Sequence, residues 1–464
     1  MLRGTTVWLV LLLALILRLP GLGTDFWLDE IWALENVGGI DSALGVFTAI
    51  HHDSNHWLIS LWMYVVGQDA AFWVYRLPSL IAGVVTVLVA GRLADEQRSD
   101  RAIAMLLVAV SFPLGFYASE ARGYGVAACA SLASFLCLLR WLATDDRRWL
   151  FAHWGVAGVG LLAHLSFVAV LAAEAVFLRA VRTSGRSRVS QPMLPLLGPL
   201  VVLIALIVVD LRFLQLGGGP PLDAWRLLAE VGALAVGGPV DVWWTPVLAA
   251  TALAGVLLAV GAEARTAPAA EARSGPAGLT WVFHAAVLGL PVIGALAMRP
   301  PFFFPRYFLV SLVFVPMVLA SALPRLTQSA RYAALGLLML LNAWSWTEFA
   351  GTGRGQYATA MADMVHAAGG AATVSSDHHF RNSTVLKFYR QRVGPWAEGL
   401  AYVTTEGEFF ILSDDRAAGP AEACARCELV GVYRSSPLSG ASWRVYRHAP
   451  GEVGRGGSSP DGRR

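Results

Sequence analysis

Long apolar runs separated by short polar stretches dominate the first 350 positions of the chain. A helix rises 1.5 Å per residue, so about 20 mostly apolar residues cross the hydrocarbon core of a bilayer. Eleven runs meet or approach that length: 7–19, 73–93, 102–117, 125–142, 150–162, 167–178, 193–211, 245–261, 279–298, 307–323 and 332–349. The first resembles a signal peptide, but no small-x-small cleavage site follows, and it reads as an uncleaved span. Two stretches break the pattern. The loop 23–72 mixes Trp27, Trp32, Trp57 and Trp62 with acidic residues, which suits short helices lying in the membrane interface, where indole rings prefer to sit. Residues 351–450 carry the charge density of a soluble domain. There a helix-like 357–368 precedes strand-like 372–375, 401–404, 408–412 and 443–446, the alternation of a small α/β domain. The Gly-, Ser- and Arg-rich 451–464 reads as a disordered tail.

Composition sharpens this picture. Length alone would suggest about three soluble domains, but 56% of the 464 residues are hydrophobic and only 14% charged. Soluble chains carry about 25% charge, so a soluble enzyme, a coiled coil and a disordered scaffold are excluded. The expected fold is a polytopic α-helical membrane protein with about eleven transmembrane helices over 1–350 and a small C-terminal extracytoplasmic α/β domain. A net charge of +3 gives no footprint for nucleic acid. With the N-terminus in the cytoplasm, fifteen arginines fall inside and seven outside, as the positive-inside rule requires. An odd number of spans then carries the C-terminal domain across. Cys129 and Cys137 sit in an apolar run as packing residues. Cys424 and Cys427 form a CxxC with no second ligand pair for zinc, and a local disulfide is expected on an oxidising side. Asn382-Ser383-Thr384 fits the glycosylation sequon.

Where charge is scarce, the charges that remain are informative, because ionisable groups near a bilayer are costly. On this topology most collect at the external face. Asp29 and Glu30 are adjacent acids just beyond the first span. They read either as a general base flanked by a second carboxylate or as a helix start, where acids are also favoured. His51, His52, Asp53, Ser54, Asn55 and His56 form a dense polar cluster, either ligands for a divalent ion or a wet loop. Glu120, Arg122 and Tyr124 end the third span. Arg122 offers a donor fork that fits phosphate, with Glu120 holding it or touching the ligand; the alternative is an interfacial ion pair. Arg306 and Tyr307 open the tenth span as a second phosphate contact or an interface anchor. His164, between two apolar runs, is a packing histidine or a member of the same external site.

In this order the motifs resemble the GT-C superfamily of polytopic glycosyltransferases, and within it the dolichyl-phosphate-mannose protein mannosyltransferase and aminoarabinose transferase branch. The resemblance is carried by Leu28-Asp29-Glu30, by Asn55-His56-Trp57-Leu58, by Tyr117-Ala118-Ser119-Glu120-Ala121-Arg122-Gly123-Tyr124 and by Arg306-Tyr307 ahead of a C-terminal external domain, over roughly the first 350 residues. It implies an inverting transferase of a bacterial inner membrane. Such an enzyme moves a sugar from a polyprenyl-phosphate donor to a lipid, protein or polysaccharide hydroxyl at the outer face, with Asp29 as base and Glu30 beside it. Some relatives hold a divalent metal ion near the donor phosphate, which makes His164 and His56 the candidate ligands. The chain departs from its relatives where they carry His-Pro-Pro-Leu-Tyr in place of His56-Trp57-Leu58, and Thr-His-Tyr in place of Ala163-His164-Leu165. Two other readings stay open: a transporter or flippase for lipid-linked saccharide, and a non-enzymatic envelope assembly factor. The first needs polar groups along a path through the bilayer, and the spans offer only the scattered Glu174, Asp210 and Glu348. No P-loop or dinucleotide fingerprint is present.

Overall fold

The computed structural model describes residues 4–185, 189–218, 221–271, 275–413 and 427–448. The tail 451–464 and Cys424 lie outside the described residues; Cys427 is disulfide-bonded. The chain divides into two units, Met1–Leu22 with Ala33–Thr347, and Gly23–Trp32 with Glu348–Arg464.

The first unit is helical. Its apolar helices include Gly4–Leu22, Phe72–Gln97, Tyr124–Thr144, Leu197–Val209, Thr245–Glu271 and Thr280–Met298. Their outward side chains, such as Leu200, Val201, Ile204, Leu253, Leu257 and Leu258, are exposed. An apolar surface of that extent suits hydrocarbon rather than water. Among the described residues six helices are long and apolar enough to cross a membrane, or seven if the bent pair Pro305–Leu312 and Val315–Arg325 counts as one. The expected eleven is therefore not established. Arg147–Ala163 and Val168–Ser184 have 17 residues each, a length of about 26 Å. Between them Glu174 is buried, accepting from Ser134 at 2.7 Å and paired with His153 at 3.0 Å.

The run 102–117 is not one continuous helix. It is broken into Arg101–Val110 and Phe112–Tyr117. The cause is Pro113, which has no N–H for the carbonyl of Ala109, four residues back. In a bilayer every freed backbone group needs a protein partner, and each has one. Arg18 donates to the carbonyls of Ala109 (3.1 Å) and Val108 (3.4 Å). Trp346 donates to Val110 O at 3.0 Å, and Asn342 Oδ1 accepts from Phe112 N at 2.7 Å. Gly115 lets the indole in, because a Cβ there would stand 2.4 Å from Trp346. Arg76 closes the end of Gly4–Leu22 through the carbonyls of Gly21 and Leu22. Two of the seven arginines counted as external are thus spent on helix ends.

The second unit contains a five-stranded sheet, β1 (Ala372–Ser376), β2 (Leu400–Tyr402), β3 (Phe409–Leu412), β4 (Cys427–Tyr433) and β5 (Trp443–His448), in the order β2-β1-β3-β5-β4. β1 pairs in parallel with β2 and β3, and β5 is antiparallel to β3 and β4. The β1–β2 crossover carries the helix His379–Arg390, as parallel pairing requires. The sequon does not survive folding as an acceptor. Asn382 is buried on that helix and its Oδ1 accepts from Trp443 Nε1 at 3.0 Å. Segment Gly23–Trp32 joins this unit through specific bonds. Asp25 accepts from Ala358 N (3.1 Å), Thr24 Oγ1 from Arg354 (3.0 Å), and Phe26 O from Tyr389 Oη (3.0 Å).

Candidate functional site: an anion cradle in the first unit

Asp29 and Glu30 occupy the first turn of Leu28–Gly38. The carboxylates meet the positive end of the helix dipole there, and Glu30 is fully buried. Both belong to the second unit; every other candidate belongs to the first.

Within the first unit, three loops converge. His56 precedes Trp57–Val66, Arg122 and Tyr124 bound Gly123 ahead of Tyr124–Thr144, and His164 follows Arg147–Ala163. Arg306 and Tyr307 arrive on Pro305–Phe308. Ring centroids are 4.8 Å apart for His56 and His164, 5.2 Å for His56 and Tyr124, 4.4 Å for Tyr124 and His164, and 5.7 Å for His164 and Tyr307. Gly123 makes this approach possible: a Cβ on it would lie 1.7 Å from the Ala163 carbonyl oxygen and 2.8 Å from His56 Nδ1. Only glycine fits there. Arg122 is buried, donating to Ser54 O at 3.2 Å, while its own carbonyl accepts from Ser79 Oγ at 2.9 Å. Glu120 is buried two residues away.

The hydrogen bonds decide what the two imidazoles can do. Gly123 N donates to His56 Nδ1 at 2.9 Å, and Ser166 N donates to His164 Nδ1 at 3.0 Å. A ring nitrogen that accepts a backbone N–H carries no proton, so in the neutral ring the hydrogen sits on Nε2. Burial, then the guanidinium of Arg122, hold His56 well below the usual histidine range, with His164 and Arg306 adding to the effect. Burial followed by Arg122 and Arg306 pushes His164 down to about 3. Both rings are therefore neutral at physiological pH, with the His56 ring also hydrogen-bonded to the Ala163 backbone.

This bears on the metal expectation for His56 and His164. A metal-binding imidazole needs a free lone pair, and its other nitrogen normally donates. Here the Nδ1 lone pairs are occupied and Nε2 holds the proton. Among the described residues no group of three His, Cys, Asp or Glu converges. The His51–His56 cluster is likewise no ligand set. His51 pairs with Asp210 (2.6 Å) and His52 with Asp53 (2.9 Å). Asn55 does not present its amide to a ligand: Nδ2 donates to the carbonyls of Val46 (2.7 Å) and Ile50 (2.9 Å), and Oδ1 accepts from Ser60 (2.8 Å). What remains is two guanidiniums beside two neutral imidazoles, a set that fits an anion. No charge stands near His164 along the chain, since Arg122 and Arg306 are remote in sequence. Ser166 lies outside every motif, and the roles of Ser54 and Gly123 depend on contacts with Arg122 and His56 that no local pattern shows.

Residues 55–210 match the model of the Dolichyl-phosphate-mannose-protein mannosyltransferase family. No curated protein sequence matches the chain. Among solved structures, ArnT from Cupriavidus metallidurans in the apo state is similar at 12% identity and a TM-score of 0.55, covering 96% of this chain and 98% of that one. The same protein bound to Undecaprenyl phosphate gives 13% and 0.39 over the same shares. The Archaeoglobus fulgidus oligosaccharyltransferase, tethered with an acceptor peptide, gives 14% and 0.44 over 78% of this chain and 57% of that one. The chain has the GT-C fold, and through residues 55–210, which include His56, Glu120, Arg122, Tyr124 and His164, its sequence is similar to the protein mannosyltransferase branch of that superfamily.

Proposed function

We propose that the chain is an integral membrane glycosyltransferase that moves a sugar from a polyprenyl-phosphate donor to an acceptor hydroxyl. One observation carries this reading: Arg122, Arg306, His56 and His164 bring two guanidiniums and two neutral imidazoles to a single locus. A sugar esterified to phosphate leaves as a phosphate anion, and preorganised donors lower the barrier by stabilising that charge as it forms. The acceptor oxygen attacks the anomeric carbon, the bond from that carbon to the phosphate oxygen breaks, and the acceptor proton passes to a base. A single displacement of this kind inverts the anomeric centre. Asp29 is the base in this proposal on the strength of its motif, with Glu30 as the neighbouring carboxylate. Tyr124 and Tyr307 line the donor site, and Glu120 belongs to the same turn as Arg122. The co-structure of ArnT with Undecaprenyl phosphate supports a donor of this lipid class.

The test is transfer by the purified full-length protein from polyprenyl-phosphate sugars, with mass spectrometry of the products. Losing one charge-stabilising donor costs a factor of about 10²–10³, so Arg122→Ala and Arg306→Ala should each fall by about that much. Asp29→Asn should abolish transfer and leave lipid-phosphate binding intact. Full activity in Asp29→Asn removes it as the base. Movement of lipid-linked sugar with no new glycosidic bond would favour a flippase instead.

A further inference from the structure

Asp210 stands at the end of Leu197–Val209. A carboxylate is disfavoured there, because the helix dipole presents its negative end. It is also only 1% exposed, and a buried charge without partners is expensive. Both oxygens are accordingly engaged: Oδ1 lies 2.6 Å from His51 Nδ1, and Oδ2 accepts from Trp57 Nε1 at 2.5 Å. These two partners bracket residues 52–56. Inside that bracket lie the loop's contacts with the anion cradle, the Ser54 carbonyl on Arg122 (3.2 Å) and His56 Nδ1 on Gly123 N (2.9 Å). The residues after Asp210 run alongside the same loop. Gln215 N donates to His51 O (2.8 Å), Asp53 N to Gln215 O (3.2 Å), and Gly217 N to the Asp53 carboxylate (3.1 Å).

We infer that Asp210 is a positioning residue: by clamping His51 and Trp57 it sets the segment between them, and through it orients Arg122 and His56 toward the donor phosphate. The inference rests on the phosphate-site reading above. Nothing in the local helix explains an acid at 210, whereas the clamp explains its burial and both bonds. An amide at this position can still accept from Trp57 and donate to His51, so Asp210→Asn keeps the clamp in neutral form; Asp210→Ala removes it.

The experiment measures binding of undecaprenyl phosphate to the full-length protein in lipid nanodiscs, together with backbone hydrogen exchange. Asp210→Ala should weaken binding by about tenfold or more, and Asp210→Asn should recover most of it. Because Asp210 acts through Arg122, the double variant Asp210→Ala/Arg122→Ala should bind within about twofold of Arg122→Ala alone, the non-additivity expected of coupled groups. Exchange should rise across residues 51–57 and at the Gly123 amide, and stay unchanged in Tyr124–Thr144. Wild-type affinity in Asp210→Ala, strictly additive losses, or unchanged exchange at 51–57 would each overturn the inference. If Arg122→Ala and Arg306→Ala both bind like the wild type, the phosphate-site reading fails, and the exchange data alone then decide whether Asp210 orders the loop.

Discussion

The two histidines illustrate how little a residue's identity says about its chemistry. His56 and His164 invite a metal by type, yet the backbone N–H groups of Gly123 and Ser166 claim their Nδ1 atoms and leave each with an Nε2 donor. Burial, and then two neighbouring cations, keep both rings neutral. This has a consequence for acid stability. A histidine unfolds to a pKa of about 6.5, and His164 is pushed down to about 3 in the folded chain. Between those values the unfolded state binds more protons, so stability falls as pH drops through that window and is flat above it. Thermal unfolding of the ligand-free protein in detergent should therefore show a steeper acid-side fall in Tm for the wild type than for His164→Gln. Equal slopes would mean that His164 is not held neutral.

At the scale of elements, the broken helix at residues 101–117 matters most. Apolar composition marks it as a span, but Pro113 ends the ladder, and the gap is repaired from helices far away in sequence by Arg18, Asn342 and Trp346. The break leaves the stretch Tyr117–Gly123 free to turn and deliver Arg122 to the site. Removing a repair group strands a buried backbone group at a cost of about 1–3 kcal/mol. Asn342→Leu, which leaves Phe112 N without its acceptor, should lower stability by about that amount in detergent unfolding. An unchanged Tm would show that another group takes over. The sheet of the second unit was partly legible in the same way. Its helix 357–368 and four of its strands follow from alternation, whereas the helix His379–Arg390 belongs to the parallel β1–β2 crossover. β4 was missed.

For the whole molecule, the GT-C fold and the apolar outer surface of the first unit agree on a membrane protein. The proposed orientation, N-terminus cytoplasmic and the C-terminal unit extracytoplasmic, follows from arginine asymmetry and an odd number of spans. Alkaline phosphatase fused after residue 448 should be active, and the same reporter fused after residue 97 inactive. The opposite pattern would invert the topology.

The sequence by itself determined the class of protein, the helical positions of most spans, and the small set of charged residues from which any site must be drawn. Those features depend on composition and local period, which are written along the chain. Tertiary structure alone decided that Asn55 locks a loop, that Asn382 is a core hydrogen-bond acceptor, and that His164 faces two guanidiniums. It also decided that an acid at the end of a helix binds His51 and Trp57, 159 and 153 residues before it. Each of these depends on which atom occupies the space beside a side chain, and that neighbour comes from a distant part of the chain that no local pattern encodes.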